Sequence, residues 1–328
     1  MKEILNRLFE HDKLSREEAK DVLLNIGSGA FNDIQITAFT TAFNMRPLTL
    51  GELQGFRDAL LELCIKVDIQ GIPTIDIVGT GGDNKNTFNI STLSCIVVAG
   101  AGYKVTKHGS YGVSSAVGSS DVLIQLGYPF SNDQEVLLKH LEKANICFLH
   151  APLFHPALKT VVPVRKQLGT KTFFNIMGPL VNPIQPTHQL FGTFSLELLR
   201  SYQYIMEQSG RKFSIVYALD GYDEISLTGD IKWVSNDSEK LLNPDSFKLQ
   251  KINGLDLHGG ETSEDAAKIF ISVLENRATE SQRNVVIANA GLAIHTIFPE
   301  KSLTDCVAEA LASIESGNAL KTLKKLLE

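Results

Sequence analysis

Residues 74–92 read "TIDIVGTGGDNKNTFNIST". A short run rich in β-branched residues, "TIDIVG", passes directly into a loop with Gly79, Gly81, Gly82 and the carboxylate of Asp83. Glycines so placed let backbone N–H groups converge on an anion without side chains in the way. The spacing is not GxGxxG, and no GK[ST] follows, so the loop is neither a dinucleotide fingerprint nor a Walker loop. Taken alone it is a structural turn or a phosphate cradle. "NTFNIST" then sets Thr87, Asn89, Ser91 and Thr92 before or at the start of an apolar helix, "NISTLSCIVVAGAG". A helix start offers unpaired N–H groups and the positive end of the helix dipole. The hydroxyls there are caps or ligands.

Downstream, the same alternation repeats. "YKVTKHG" is a strand that brings Lys107 and His108 to a second polar loop, "GSYGVSS", and "SSDVLIQLG" opens a helix with Ser119. "NDQEVLLKHLEKAN" reads as a helix, "ICFLHA" as a strand, and "HPALKTVVPVRKQLG" as a helix kinked or split by Pro163. "HQLFGTFS", "LELLRSYQYIMEQSG" and "FSIVYAL" give strand, helix and strand. This is the grammar of an α/β protein with a mostly parallel central sheet flanked by helices. Ligands of such sheets sit outside the carboxyl ends of the strands. Two cradles at two strand ends imply a ligand with two separated phosphate groups. After the last of these strands comes "DGYDEISLTG", where the neighbouring carboxylates Asp223 and Glu224 are surface features or, beside a polyphosphate, ligands for Mg²⁺.

Upstream, residues 1–70 read as helices only. Ser15 with Glu18, and Thr49 with Glu52, have capping-box spacing. They form a small all-helical domain, with a large α/β domain over 72–328. Beyond residue 228, "DIKWVSND" is a strand running into a turn. The helices "SEDAAKIFISVLEN", "RNVVIANAGLAIHTIF" and "LTDCVAEALASIESGNALKTLKKLL" follow, the last interrupted at Gly317.

The chain has 328 residues, 43% of them hydrophobic, and a formal charge of -6. That charge speaks against bulk nucleic-acid binding, which wants a basic face. Cys64, Cys95, Cys147 and Cys306 are far apart and lie among apolar residues, as buried thiols of a reducing compartment do. No run has the length and apolarity of a membrane span, and the first residues lack a signal-peptide pattern. The expectation is a cytoplasmic protein with no membrane partner. His150 and His155 flank "APLF" at a strand end, as core, capping or site residues. Arg165 in "PVRKQLG" is a surface arginine or a cleft residue. There is no Ser–His–Asp or Cys–His arrangement and no zinc spacing.

"GTGGD", "NTFNIST", "KHG", "GVSS", "APLFHPALK", "PVRKQLG", "NIMGPLVNP" and "DGYDEISLTG" occur in this order between residues 76 and about 229. Together they resemble the anthranilate phosphoribosyltransferase family. The resemblance implies a homodimer of two-domain subunits, the helical domain taking helices from about 165–185. It implies phosphoribosyl transfer from phosphoribosyl pyrophosphate to anthranilate, in tryptophan biosynthesis, with two Mg²⁺ ions per subunit. The phosphoribosyl pyrophosphate site carried over is Gly79, Gly82 and Asp83, then Thr87, Asn89, Ile90, Ser91 and Thr92. It continues through Lys107, His108, Gly109, Ser110, Tyr111, Gly112, Val113, Ser114 and Ser115 to Ser119. Ser91, Asp223 and Glu224 resemble the magnesium ligands. Gly79, Ser110 and Arg165 resemble the anthranilate contacts, and no catalytic base is assigned. The family's usual motif after the second strand is His-Gly-Asn; here it is His108-Gly109-Ser110. A nucleoside phosphorylase of the same general fold and a non-catalytic nucleic-acid-binding relative are the rival readings. The carboxylate pair with two cradles disfavours the first, and the net charge the second.

Overall fold

A computed structural model describes residues 1–112 and 116–328. Four helices come first: α1 (Lys2–Phe9), α2 (Arg16–Gly27), α3 (Asp33–Ala42) and α4 (Leu50–Leu63). Strands and helices then alternate: β1 (Ile75–Gly79), α5 (Ile90–Gly100), β2 (Val105–Gly109), α6 (Ser119–Gln125), α7 (Gln134–Ala144) and β3 (Ile146–His150). Two short helices follow, α8 (Ala151–Phe154) and α9 (Val162–Leu168). The remainder is β4 (His188–Gly192), α10 (Leu196–Glu207), β5 (Lys212–Ala218), β6 (Ile231–Ser235), β7 (Glu239–Leu242), α11 (Ser263–Leu274), α12 (Glu280–Ile297), α13 (Leu303–Glu315) and α14 (Asn318–Leu327). The chain divides into two compact units, Met1–Val67 with Ala151–Gln185, and Asp68–His150 with Pro186–Glu328.

In the helical unit, local sequence sets the helix starts. Ser15 and Thr49 accept from the backbone of Glu18 and Glu52, and each glutamate reaches back to the capping residue. Asn32 and Gln35 make a third such box before α3. Each box satisfies two orphan donors of the first turn. The interior is aromatic. Phe56 stacks on Phe173 at 4.4 Å between centroids, and Phe39 and Phe43 meet both rings edge-on. Phe173 comes from the returning segment, which therefore supplies core and not only surface. That segment begins at Ala151, ahead of the 165 expected from resemblance. The stretch read as one helix over Pro163 is split: a 3₁₀ turn spans Pro156–Thr160, and α9 starts with Pro163 in its first turn. There the missing N–H removes no helical bond.

In the other unit, seven strands form one sheet in the order β3-β2-β1-β4-β5-β6-β7. The contacts from β3 through β5 are parallel, and those of β6 and β7 are antiparallel. β6 stands where a strand was expected. β7 was not anticipated: Glu239, Lys240 and Leu241 are exposed, so the edge strand carries no alternating pattern. α5 is buried nearly all round, as its uninterrupted apolar run requires, and α12 is buried along most of its length. α12 starts at Glu280, capped by Thr279 and Gln282, earlier than its apolar run. The terminal helix breaks at Gly317, whose φ of 74° belongs to the left-handed region.

Candidate active site

Because β3, β2, β1, β4 and β5 are parallel, the loops after them open on one edge of the sheet. β1 lies between β2 and β4, so the strand order reverses there, where α/β sheets form their ligand crevice. The last pair of the β1–β4 ladder is Gly79 with Gly192. A Cβ on either would overlap Asp223, the side chain in one case and the carbonyl in the other. Two glycines side by side thus admit the 219–224 loop across the strand ends.

Asp223 is buried and accepts the Gly81 N–H on Oδ2 at 2.6 Å. Glu224 accepts the Ser91 N–H, in the first turn of α5, at 2.9 Å. The acid pair therefore joins the glycine loop to the helix start. Gly81 and Gly82 have φ of 66° and 83°, which suits glycine. Burial, and then the neighbouring Asp83 carboxylate, push the Asp223 pKa up to about 7. Burial and Asp223 likewise raise Glu224, with Lys107 partly offsetting. Lys107 is buried and donates from Nζ to the Ile77 carbonyl at 2.7 Å.

The second loop is held from α6. Ser119 Oγ and Ser120 N both donate to the Ser110 carbonyl, at 3.2 and 3.1 Å. Asp121 Oδ2 accepts the N–H groups of Gly112 and Gly118, both at 2.8 Å. The amide of Asn89 donates to the Val117 carbonyl at 3.1 Å, tying the start of α5 to this loop.

The structure thus brings Gly79, Gly82, Asp83, Asn89, Ser91, Lys107, Asp223 and Glu224 to one region, with Ser110, Tyr111 and Gly112 in the adjoining loop between Gly109 at the end of β2 and Ser119 at the start of α6. Ile90, Thr92 and His108 are buried side chains, so what they offer a ligand is backbone. Thr87 bridges to His258. Val113, Ser114 and Ser115 lie outside the described residues. Arg165 belongs to the helical unit, where its Nη2 lies 3.4 Å from Asn175 Oδ1 and its guanidinium 5.7 Å from the Phe174 ring centroid. The four cysteines are buried and unpaired.

Two supporting residues escaped the sequence reading. Asn289 of α12 is buried and grips the residue after the acid pair: Oδ1 accepts the Ile225 N–H at 3.1 Å, and Nδ2 donates to its carbonyl at 2.8 Å. An asparagine in the middle of the apolar run 285–294 was the available signal. Asn86 donates to the Gly260 carbonyl at 3.0 Å and accepts the Ala116 N–H at 3.4 Å, joining both loops to the 258–260 turn.

Among the described residues, no group of three or more His, Cys, Asp or Glu is arranged to hold a metal ion by itself. Mg²⁺ binds through one or two carboxylates and takes its other ligands from phosphate and water. Crowded, buried carboxylates with raised pKa are the donor chemistry a divalent cation relieves.

The Asp223 shift has a consequence for stability. A carboxyl with a folded pKa of about 7 keeps a proton that the unfolded chain releases near pH 4. Through this group stability falls as pH rises from about 4 to 7. Asp223→Asn removes that slope. Melts in chelator across this range should show the variant gaining on wild type as pH rises; a constant offset would contradict it.

Two family models match the chain: "Glycosyl transferase family, helical bundle domain" over residues 2–64 and "Glycosyl transferase family, a/b domain" over 71–320. An anthranilate phosphoribosyltransferase of Cytophaga hutchinsonii is 56% identical over 328 residues, covering 100% of both chains. The crystal structure of the Thermus thermophilus anthranilate phosphoribosyltransferase matches with a TM-score of 0.91 at 30% identity, over 98% of each chain. The Saccharomyces cerevisiae enzyme in complex with phosphoribosyl pyrophosphate and Mg matches with a TM-score of 0.91 at 27% identity, over 98% of this chain and 95% of that one.

Proposed function

The chain belongs to the anthranilate phosphoribosyltransferase family, and from that premise we propose that it transfers the 5-phosphoribosyl group of phosphoribosyl pyrophosphate to anthranilate. The products are N-(5-phosphoribosyl)anthranilate and pyrophosphate, a step of tryptophan biosynthesis. The observation that carries this reading is the joining of the glycine loop, the start of α5 and the Asp223–Glu224 pair at the switch point of the sheet.

The reaction is a substitution at the anomeric carbon. The bond from C1 to the pyrophosphate oxygen breaks, a bond to the anthranilate nitrogen forms, and the amine gives up a proton. The aromatic amine is already a nucleophile, so holding the two substrates in line supplies much of the acceleration. The Gly79–Asp83 loop and the N–H groups at the start of α5 take the pyrophosphate. Lys107 and the loop through Ser119 take the ribose phosphate side. The donors of the Gly79–Asp83 loop and of the first turn of α5 stand on backbone set by the fold, so they need little rearrangement in the transition state. Asp223, Glu224 and Ser91 hold Mg²⁺, two ions per subunit, which when bound stabilises charge on the departing pyrophosphate. Arg165, with Gly79 and Ser110, receives anthranilate.

The subunit works as a homodimer in the cytoplasm. Phe9, Ile34 and Met45 of the helical unit are large exposed apolar side chains available to such an interface. Among the described residues, no helix is long and apolar enough to cross a membrane.

The direct test follows loss of anthranilate fluorescence with and without phosphoribosyl pyrophosphate and Mg²⁺. Consumption that depends on both supports the reading. Phosphorolysis of a nucleoside with no anthranilate use would replace it with the phosphorylase alternative. The loop assignment has its own check. Gly82→Val adds a branched side chain at a φ of 83° and blocks close backbone approach. Calorimetry should show affinity for phosphoribosyl pyrophosphate down at least ~10-fold, a loss of about 1.4 kcal/mol. Unchanged binding by the folded variant would remove this loop from the site.

A further inference from the structure

β2 and β3 run in parallel to a last pair, Gly109 with His150. Beyond Gly109 the chain enters the 110–112 segment, whose carbonyl at Ser110 is fixed by the N–H of Ser120. Ser120 is itself buried, and its hydroxyl lies 2.8 Å from His150 Nδ1. His150 is 6% exposed and sits between two rings. Phe130 lies against it at 4.7 Å between centroids, and Tyr111 stands edge-on at 4.9 Å and 86°. Tyr111 is 49% exposed, so one part of its ring is anchored and the rest is open. His150 therefore reaches the segment twice, at Ser110 through Ser120 and at Tyr111 directly. A histidine serving only to fill the core would need neither link.

We propose that His150 is a positioning residue for the aromatic acceptor, holding Ser110 and Tyr111 where that ring is received. The inference rests on the transferase reading above. An aromatic side chain fixed before binding loses less freedom when a flat ligand packs on it. The serine at 110 has a short side chain, so its reach depends on where the backbone is held. The links of His150 end at Ser110 and Tyr111, in the loop that also takes the ribose phosphate side, but the donor is held besides by the Gly79–Asp83 loop, the start of α5 and Lys107, to none of which these links run. Its influence should fall on acceptor affinity more than on the donor.

The test is steady-state kinetics, varying anthranilate and phosphoribosyl pyrophosphate in turn, for His150→Phe, Ser120→Ala, their combination and His150→Asn. Phenylalanine keeps a ring between Tyr111 and Phe130 but cannot bond Ser120. Losing one hydrogen bond of this kind predicts an anthranilate KM raised ~10-fold. The KM for phosphoribosyl pyrophosphate should move much less, and the effect should fall on KM more than on kcat. S120A should give a similar rise and the double variant no further rise, because the two residues act through one link. Asparagine at 150, with a polar atom close to the place of Nδ1, should recover part of the loss. An unchanged anthranilate KM in H150F would overturn the inference. So would equal rises in both KM values with a matching fall in melting temperature, which is what a structural role gives. Additive effects of H150F and S120A would overturn the route through Ser120. Wild-type protein inert toward anthranilate would overturn the transferase reading itself, and this inference with it.

Discussion

Asp223→Asn combined with Glu224→Gln should reduce phosphoribosyl transfer by about three orders of magnitude or more, taking about 4 kcal/mol of charge stabilisation from the transition state. The same double variant should melt at a higher temperature than wild type when no metal is present. Both results come from the same physics. Burial raises both acids, with Asp83 adding to the rise at Asp223 and Asp223 to that at Glu224, so the folded protein without metal holds strained carboxylates. The amides keep the shape and can still accept from Gly81 and Ser91, but they bring no charge. Removing the desolvation cost of buried carboxylates and their repulsion by a neighbouring carboxylate stabilises a fold. Removing the donors that Mg²⁺ requires ends its binding with the substrate. A variant that was merely misfolded would lose both activity and melting temperature. Turnover at saturating Mg²⁺ and phosphoribosyl pyrophosphate, read beside thermal melts, separates the cases. Near-normal turnover would remove the pair from the metal site.

Which parts of this molecule were legible from the sequence follows from how local each signal is. A mostly parallel sheet, though not its strand order, was legible because buried strands such as Ile75–Gly79 are short apolar runs, each ending in a polar loop. The Gly79–Asp83 loop and the start of α5 adjoin in sequence, so their chemistry could be read as one motif. Asp223 is far away in the chain, but its adjacency to Glu224 at a strand end marked it. What escaped is what depends on distant partners. Asn289 acts on Ile225 across 64 positions, and Ser120 meets His150 across 30. β7 escaped for another reason: an exposed edge strand needs no buried face and so leaves no alternation. The return of residues 151–185 to the helical unit is carried by Phe173 among the rings of α3 and α4, which no local pattern announces.

Arg165→Lys should damage use of anthranilate by a factor of about 10² to 5 × 10³ in kcat/KM, while affinity for phosphoribosyl pyrophosphate changes little, corresponding to about 3–5 kcal/mol for breaking a pair closed off from water. The side chain is prepared for an anion. Burial alone depresses its pKa, and no carboxylate among the described residues pairs with it. Phe174 lies beside the guanidinium, and Asn175, which also caps the Thr172 N–H, limits its rotation. A desolvated guanidinium held in one plane with its charge unspent suits a ligand carboxylate, which it can grip with two parallel bonds. Lysine keeps the charge but neither the plane nor the second bond, so charge alone cannot rescue it. Ser110 marks the other side of the same argument. Ser110→Asn lengthens the side chain and adds an amide, and it should lower the anthranilate KM or leave it unchanged. Kinetics with anthranilate varied at saturating Mg²⁺ and phosphoribosyl pyrophosphate decide both. Wild-type values in the R165K variant would mean that another group reads the carboxylate. A raised KM in S110N would mean that the pocket is built around the shorter serine and has no room for the amide.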